Sequence, residues 1–538
     1  MRIAIVGGGP GGLLAATLIK RTNADHDVTL FERNRAEDTF GFGVVFSDAT
    51  LAGIHAADPV LLTALSDHGV HWDTIEVRLR GERHRCEGNG MAAVERKQLL
   101  RLLQAQAVAE DVDLRFSTDA DVDTVLSGGY ELVLAADGAN SRLRERYADI
   151  FAPSVETATA KFIWLGTTYP FEGLTFVHER GPHGVFAVHG YPIGNGLSTF
   201  IVETDEGTWR AAGLDEFDVT QRPGVSDEKS RVYLHELFGE RLGGQPLLVN
   251  NSRWGNFRTR RAGRWRHRVG GTAVTLLGDA AHTAHFSVGS GTKMAMEDAI
   301  ALADALGELT SDDPADVDSA LEAYEARRRP EVDKIQNSAR PSLSWWEHFG
   351  RTYDTMPGWQ FAYHFFTRSL TDGRLHKRAP DFVKDSHAAW RAAHDAEPLD
   401  TPITIGTCHS PGRRVEIRDE TVVLEDVRIP LRAKPTDAGE WALRVCAPKS
   451  EEELPPVLDG LAKGTAAGAR LVVVGGGTPL TRRLLCEAVR LEHNVASILV
   501  EDAEDTGYGV DDTPLTAVLS GRTDMVAVPG PTGAGLSA

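Results

Sequence analysis

A chain of 538 residues with 42% hydrophobic content can bury at least two sizeable cores, and its length points to two to four domains. Its 77 acidic and 57 basic side chains give a net charge of −20, which argues against general binding to nucleic acid or an anionic membrane. No apolar run reaches membrane-spanning length, and the four cysteines (Cys86, Cys408, Cys446, Cys486) have no metal-ligand spacing, so a cytoplasmic globular protein with buried thiols and no metal site is expected.

The chain opens on an apolar run, Ile3 to Val6, followed by Gly7-Gly8-Gly9-Pro10-Gly11-Gly12 and a helix-like segment from Leu13 to Ile19. Gly7, Gly9 and Gly12 satisfy G-x-G-x-x-G, and a second strand, Val28 to Phe31, ends in Glu32, twenty residues after Gly12. That is the spacing of a dinucleotide site whose acid accepts the ribose hydroxyls, with Arg33 beside it. Gly41-Phe42-Gly43-Val44-Val45-Phe46 reads as a flexible loop over a flat ligand. Farther on, Arg96 opens a helix in which Leu99 and Leu103 share a face. A cation at a helix N-terminus opposes the helix dipole unless an anion is near, which makes Arg96 a phosphate-contact candidate. A buried strand from Tyr130 to Ala136 then ends in Asp137-Gly138-Ala139-Asn140-Ser141-Arg142-Leu143-Arg144, with Ser141 placed to cap the next helix.

Later, Ala273 to Leu277 leads into Gly278-Asp279-Ala280-Ala281-His282. These motifs, in this order over residues 1 to 300, resemble the class A flavin-dependent aromatic hydroxylases, the p-hydroxybenzoate hydroxylase group. The resemblance implies a Rossmann-like FAD-binding domain with an inserted antiparallel sheet. It also implies FAD held by Gly7, Gly9, Gly12, Glu32, Arg33, Arg96 and Asp279, with Asp137 and Gly138 near the pyrophosphate. NADH or NADPH and O₂ are the implied cosubstrates, without a second nucleotide domain.

Residues 155 to 255 are rich in short aromatic and β-branched strands, which fits that inserted sheet. His178, His183, His189 and Tyr191 are weak candidates there, because each aromatic is more often core than ligand contact. Between Asn250 and Gly278 there is no acidic residue, while Arg258, Arg260, Arg261 and Arg264 stand in an arginine run interleaved with Trp254 and Trp265. The run reads either as a landing site for a phosphorylated ligand or as a solvated strand pair.

The loop His282-Thr283-Ala284-His285-Phe286-Ser287-Val288-Gly289-Ser290-Gly291-Thr292-Lys293, with Trp345-Trp346 and the aromatic stretch from Phe361 to Phe366, resembles a narrower branch. That branch acts on aromatic acids carried as coenzyme A thioesters, and the resemblance makes the CoA phosphates the ligand expected for the arginines. Gly289, Gly291 and Thr292 open a helix whose N-terminus would face the flavin. The wider family usually has prolines where this chain has His285 and Phe286, and this leaves His285 as an acid-base candidate and Lys293 as a charge-neutralising one. The expected activity is hydroxylation of an aryl-CoA para to an OH or NH₂ group, first salicyloyl-CoA to gentisyl-CoA. Anthraniloyl-CoA 5-monooxygenation, a flavin oxidoreductase that reduces its substrate, and a noncatalytic FAD-binding assembly protein are the alternatives. A homodimer is the expected assembly.

Residues 396 to 402 read as a linker, and beyond them Trp441 to Val445, Arg470 to Val474, Ala496 to Val500 and Asp524 to Val528 form a βα repeat. The repeat faintly resembles the end of an old-yellow-enzyme barrel, but about 140 residues fall short of the ~250 of a full barrel. Pro529-Gly530-Pro531 stands where a phosphate turn would be, so a truncated relic without FMN is expected. Gly475-Gly476-Gly477 lacks the third fingerprint glycine and reads as a tight turn. The expected domains are 1–154 and 269–395 (FAD-binding, the second with a helical tail), 155–268 (substrate sheet) and 403–538 (C-terminal module).

Overall fold

The computed structural model describes residues 1–39, 41–48, 51–218, 220–222, 224–425, 427–434, 440–501 and 512–527. The chain divides into two compact units, Met1–Leu79 with Asn89–Glu347, and Arg80–Gly88 with His348–Ala538.

The first unit contains, among shorter elements, β1 (Arg2–Val6), α1 (Pro10–Thr22), β2 (Asp27–Phe31), α2 (Arg96–Ala109), β3 (Asp113–Arg115) and β4 (Leu132–Ala135). There follow β5 (Pro153–Thr167), β6 (Leu174–Gly181), β7 (Gly184–Gly194), β8 (Leu197–Thr204) and β9 (Gly255–Ala262). The unit ends with β10 (Arg266–Val269), β11 (Thr272–Leu276), α3 (Gly291–Gly307) and the long helix α4 (Pro314–His348).

One sheet has the order β10-β11-β4-β1-β2-β3 and is parallel except for β10, which returns antiparallel to β11. Its middle strands are apolar on both faces (Ile3, Ile5, Leu132, Leu134, Val274, Leu276), as a sheet covered by helices on each side requires. Because β1, β4 and β11 are parallel neighbours, their carboxyl ends lie along one edge. The loops after residues 6, 135 and 276 therefore converge there, where open α/β sheets bind ligands.

The second sheet runs antiparallel through β5-β8-β7-β6, with β9 pairing the first part of β5 and Ile75–Leu79 adding parallel to β6. Strand alternation gives it two unlike faces. Ile163, Leu165, Val177, Phe186, Val188, Phe200 and Val202 point to one side and form a core with Leu234 and Phe238. The intervening residues point to the other. Gly43 to Ser47, expected as part of a loop, is instead a strand, and a Cβ on Gly43 would stand 2.2 Å from Ile193, so this glycine serves packing.

In the second unit β12 (Arg414–Arg418), β13 (Thr421–Leu424), β14 (Val427–Arg432), β15 (Ala442–Cys446), β16 (Leu471–Gly475), β17 (Ala496–Val500) and β18 (Met525–Ala527) close into a barrel in chain order. The βα repeat is present, but three antiparallel strands complete it, and β18 pairs parallel with β12. Val415, Val422, Leu424, Ile429, Leu431, Leu471, Val473, Ile498 and Met525 are among the residues that fill the interior. Val528 and Pro529-Gly530-Pro531 lie outside the described residues. The expected linker runs within this unit, with Leu399 and Thr401 buried and Trp390 Nε1 donating to Thr401 Oγ1 at 2.8 Å. Gly476 and Gly477 have φ of 70° and 58°, a tight turn. Cys86, Cys408 and Cys486 are buried and Cys446 is exposed. Among the described residues no helix is long and apolar enough to cross a membrane, and no cluster of ligating side chains could hold a metal.

Candidate active site

The three loops at the edge of the parallel sheet are built differently. At Gly7 an added Cβ would stand 2.1 Å from Ala136 O, and at Gly12 2.2 Å from Gly7 O, so these two glycines let the turn and α1 close onto β4. At Gly9 a Cβ would meet nothing within 4 Å. That is the division of labour a phosphate-binding turn needs, two glycines for packing and one for approach by a ligand. Glu32 accepts from Gly8 N–H (2.8 Å), Asn34 N–H (2.8 Å) and Asn34 Nδ2 (2.7 Å), which fixes its carboxylate and leaves acceptor capacity for a ligand hydroxyl. Arg33 is exposed beside it.

In the second loop Asp137 Oδ2 accepts Arg142 N–H at 2.9 Å, while buried Oδ1 has no partner among the described residues. Burial raises this carboxyl above its usual range. Gly138 (φ 81°) faces open space, and Ser141 Oγ caps the next helix by accepting Arg144 N–H. Arg144 is buried and donates to Ala280 O (2.9 Å) and Ala139 O (2.8 Å), tying the second loop to the third.

The third loop is held by a residue that sequence reasoning missed. Asp298, fully buried on α3, accepts from Gly278 N–H (3.0 Å), His282 Nε2 (2.7 Å) and Arg328 Nε (2.8 Å). His282 and Arg328 hold its carboxyl below the usual range despite burial. The signal available in the sequence was its position on the first helix after the Gly-Asp turn, but its partner Arg328 lies thirty residues away on α4. Asp279 is solvent-accessible yet surrounded by protein, the condition of a side chain lining a recess, and desolvation raises its carboxyl against the pull of His282, Arg96 and Arg260. Arg96, the first residue of α2, lines the same recess 5.9 Å over the Trp164 ring, and burial lowers its pKa against the pull of Asp279. Gly289 (φ 63°), Gly291 and Thr292 start α3, and a Cβ on Gly291 would meet nothing within 4 Å. Lys293 is not free: its Nζ lies 2.7 Å from Glu297, which also pairs with Arg328 at 3.1 Å. An open glycine turn, an orphaned carboxylate oxygen and a recess with Arg96 and Asp279 fit a dinucleotide such as FAD.

The unlike face of the antiparallel sheet meets this loop. One cross-strand row is Phe162, Glu203, Ala187 and His178, and the next is Trp164, Ile201, His189 and Phe176. Phe286 lies among Phe162 (5.0 Å), Trp164 (5.7 Å), His189 (5.5 Å) and Phe257 (6.2 Å) between ring centres. Trp346 of α4 covers His189 at 4.2 Å and stacks on His178 at 6.3 Å. Glu203, also unforeseen, is 1% exposed, with His189 Nε2 2.6 Å from one oxygen and His285 Nε2 3.7 Å from the other. His285 Nδ1 accepts Ser287 N–H (3.3 Å) and lies 2.7 Å from Ser287 Oγ. Both nitrogens of His285 thus face protein groups. Burial pushes His178 down to about 3 and Tyr191 up to about 12. His183 lies outside this face, beside Tyr233.

The arginine run is less charged in space than in sequence. Arg261 pairs with Glu156 (2.8 Å), Arg266 with Glu322 (2.9 Å) and Arg268 with Asp318 (2.9 Å), because β5 and α4 bring acids to the acid-free stretch. Arg258 and Arg264 are exposed and make no ion pair among the described residues. Arg260 donates to Asn140 Oδ1 (3.2 Å), and burial, Arg144 and Arg258 lower its pKa. Thr283 locks this strand to the third loop, accepting Arg260 N–H at 2.8 Å and donating to Arg258 O at 2.6 Å.

The FAD binding domain family matches residues 1–339. The chain is 54% identical over 533 residues to salicyloyl-CoA 5-hydroxylase of a Streptomyces species, covering 98% of this chain and 99% of that one. It is 36% identical over 345 residues to 3-hydroxy-4-methyl-anthranilyl-[aryl-carrier protein] 5-monooxygenase of Streptosporangium sibiricum, covering 64% and 89%. Among solved structures, 2-methyl-3-hydroxypyridine-5-carboxylic acid oxygenase is similar at 22% identity and a TM-score of 0.49, covering 64% of this chain and 92% of that one. On the family match and the near full-length likeness to a hydroxylase, the chain belongs to the FAD binding domain family, among its FAD-dependent aromatic monooxygenases.

Proposed function

We propose that the chain hydroxylates salicyloyl-CoA para to the ring hydroxyl, giving gentisyl-CoA. The observation that carries this reading is the 54% identity, over almost all of both chains, to a protein named for that substrate. The second relative is also named for an aryl group borne on a carrier and for reaction at position 5. Bound FAD supplies the redox chemistry, passing two electrons from NADH or NADPH to O₂ so that one oxygen atom enters the ring and the other leaves as water.

In this reading the chain's own residues bind and orient. Gly7, Gly9, Gly12, Glu32 and Arg33 take the adenosine end and its phosphates. Asp137, Gly138, Arg96, Asp279, Gly289, Gly291 and Thr292 take the remainder. Lys293, held in the first turn of α3 by Glu297, adds positive charge to that helix end. His285, fixed at Nδ1 by Ser287, is the loop's acid-base group, with Nε2 the side from which a proton can exchange. Phe286 and the tryptophans exclude water from the ring. Arg258, Arg260 and Arg264 offer guanidinium groups to the CoA phosphates, whereas Arg261 is already occupied by Glu156.

Product analysis with salicyloyl-CoA, anthraniloyl-CoA and the two free acids tests the reading. Coupled NAD(P)H oxidation and 5-hydroxylation fastest with salicyloyl-CoA is the expected result. No turnover of that thioester, or faster turnover of anthraniloyl-CoA, overturns it. Arg258→Gln is expected to raise KM for the thioester about tenfold, the loss of one charge-assisted phosphate contact, while Arg261→Gln changes it less than twofold.

A further inference from the structure

The sheet face that meets the third loop carries a carboxylate and no Arg or Lys in either of its cross-strand rows. Glu203 sits there at 1% exposure between two imidazoles. Ser287 N–H donates to His285 Nδ1, so in the neutral ring the remaining proton is on Nε2, the nitrogen on the Glu203 side. That nitrogen stands 3.7 Å from the carboxylate, longer than a hydrogen bond, while His189 Nε2 lies 2.6 Å from the other oxygen. Arg96, which lies over Trp164 of this face, is set against the Asp279 carboxylate.

We propose that Glu203 is a specificity-determining residue, which admits an aromatic ring whose carboxyl is masked as a neutral thioester and rejects the free aromatic acid. The inference rests on the reading that the ring binds against this face. A free carboxylate ortho to the ring hydroxyl brings a second anion into a buried site that already holds one, and like charges a few ångströms apart in such a site disfavour each other strongly. A thioester carbonyl brings no charge. The chemistry of the site then accounts for a carrier-borne substrate independently of any contact to the carrier itself.

Three probes separate charge from carrier: salicyloyl-CoA, salicylate (an anion) and salicylamide (neutral and without CoA). With the purified FAD-loaded enzyme, equilibrium dialysis of labelled salicylate and salicylamide is expected to give a Kd at least tenfold higher for the anion. Glu203→Gln, nearly isosteric, is expected to lower the salicylate Kd at least tenfold and to move the salicylamide Kd less than threefold. Equal binding of the two small probes by the unmodified enzyme overturns the proposal without any variant. So does a salicylate-to-salicylamide ratio that Glu203→Gln leaves unchanged. Turnover of salicyloyl-CoA in the same preparations distinguishes the two levels. If the thioester is hydroxylated but the small probes bind alike, this inference fails alone; if the probes differ but the thioester is not hydroxylated, the substrate assignment fails.

Discussion

The antiparallel sheet of the first unit and the barrel of the second are both closely packed β structures, yet they place their charges oppositely. In the sheet, alternation puts Phe200 and Val202 into an apolar core and Glu203 and His189 on the other face, toward Phe286 and the glycine loops. In the barrel, the interior is filled by side chains such as Val422, Leu471 and Met525. The buried charges of that unit lie on its helices and strand ends: Glu487 is 3.1 Å from His364 and 3.4 Å from Arg522, and Arg482 is 3.4 Å from Glu501. A buried charge that faces a recess is available to a ligand, whereas one ringed by its own counter-charges fastens elements together. In the proposed reading the sheet's charged face binds the ring, and the barrel's charges hold its shape.

Removing a charge from the barrel unit, and one from the Gly278-Asp279 loop that follows the parallel sheet, tests that contrast. Glu487 is held down to about 2 by His364 and Arg522 despite burial, and Glu487→Ala leaves both partners buried without their anion. A loss of about 3–5 kcal/mol is expected in the unfolding of the second unit, with the FAD dissociation constant changed less than twofold. Denaturant unfolding and flavin titration read the two effects, and a large change in FAD affinity would break the contrast. Asp279→Ala is the converse case. It is expected to weaken FAD binding about 100-fold, or about 2.7 kcal/mol, while the apoprotein melts within a few degrees of the parent. A large loss of apoprotein stability would show that Asp279 fastens the loop instead of lining the site.

The parallel sheet was legible because its signals are local. The glycines, Glu32, the Asp137-Gly138 turn and the Gly278-Asp279 turn each lie within a few residues of a strand end, and parallel pairing alone brings the strand ends together. What stayed hidden depends on distance in the chain. Asp298 owes its role to Arg328 and His282, and the arginine run owes its partial neutralisation to Glu156, Asp318 and Glu322. The histidines of β6 and β7 were read singly as core, which their burial supports. Their common face with Glu203 follows only from the register of four strands, and a shift by one residue would turn them into the Phe186 core. The module was read as truncated from its length and from Pro529-Gly530-Pro531, and β12 to β14 went unread because they are only four to six residues long and β12 alternates Arg414, Glu416 and Arg418 with Val415 and Ile417, a weak pattern without its partners.

The smallest expected effect is a pH dependence that separates two kinds of buried histidine. His178 lies against Trp345 and Trp346, and desolvation lowers its pKa from 6.5 to about 3. The unfolded chain therefore binds this proton first as the pH falls. The folded state loses up to about 1.4 kcal/mol per pH unit below about 6.5, and the slope ends near the folded value. His178→Phe removes the ionisable group and keeps a ring against Trp346, so unfolding of the first unit should lose that slope. In the second unit His364, lowered to about 4, has Glu487 as partner, and both groups lose stability on acidification. His364→Phe there would take from the buried Glu487 carboxylate the hydrogen-bond partner at 3.1 Å and cost stability at neutral pH, whereas His178→Phe would not. Equal neutral-pH losses in the two variants would mean that the histidine on the sheet's charged face is as tightly committed to its neighbours as His364 is to Glu487.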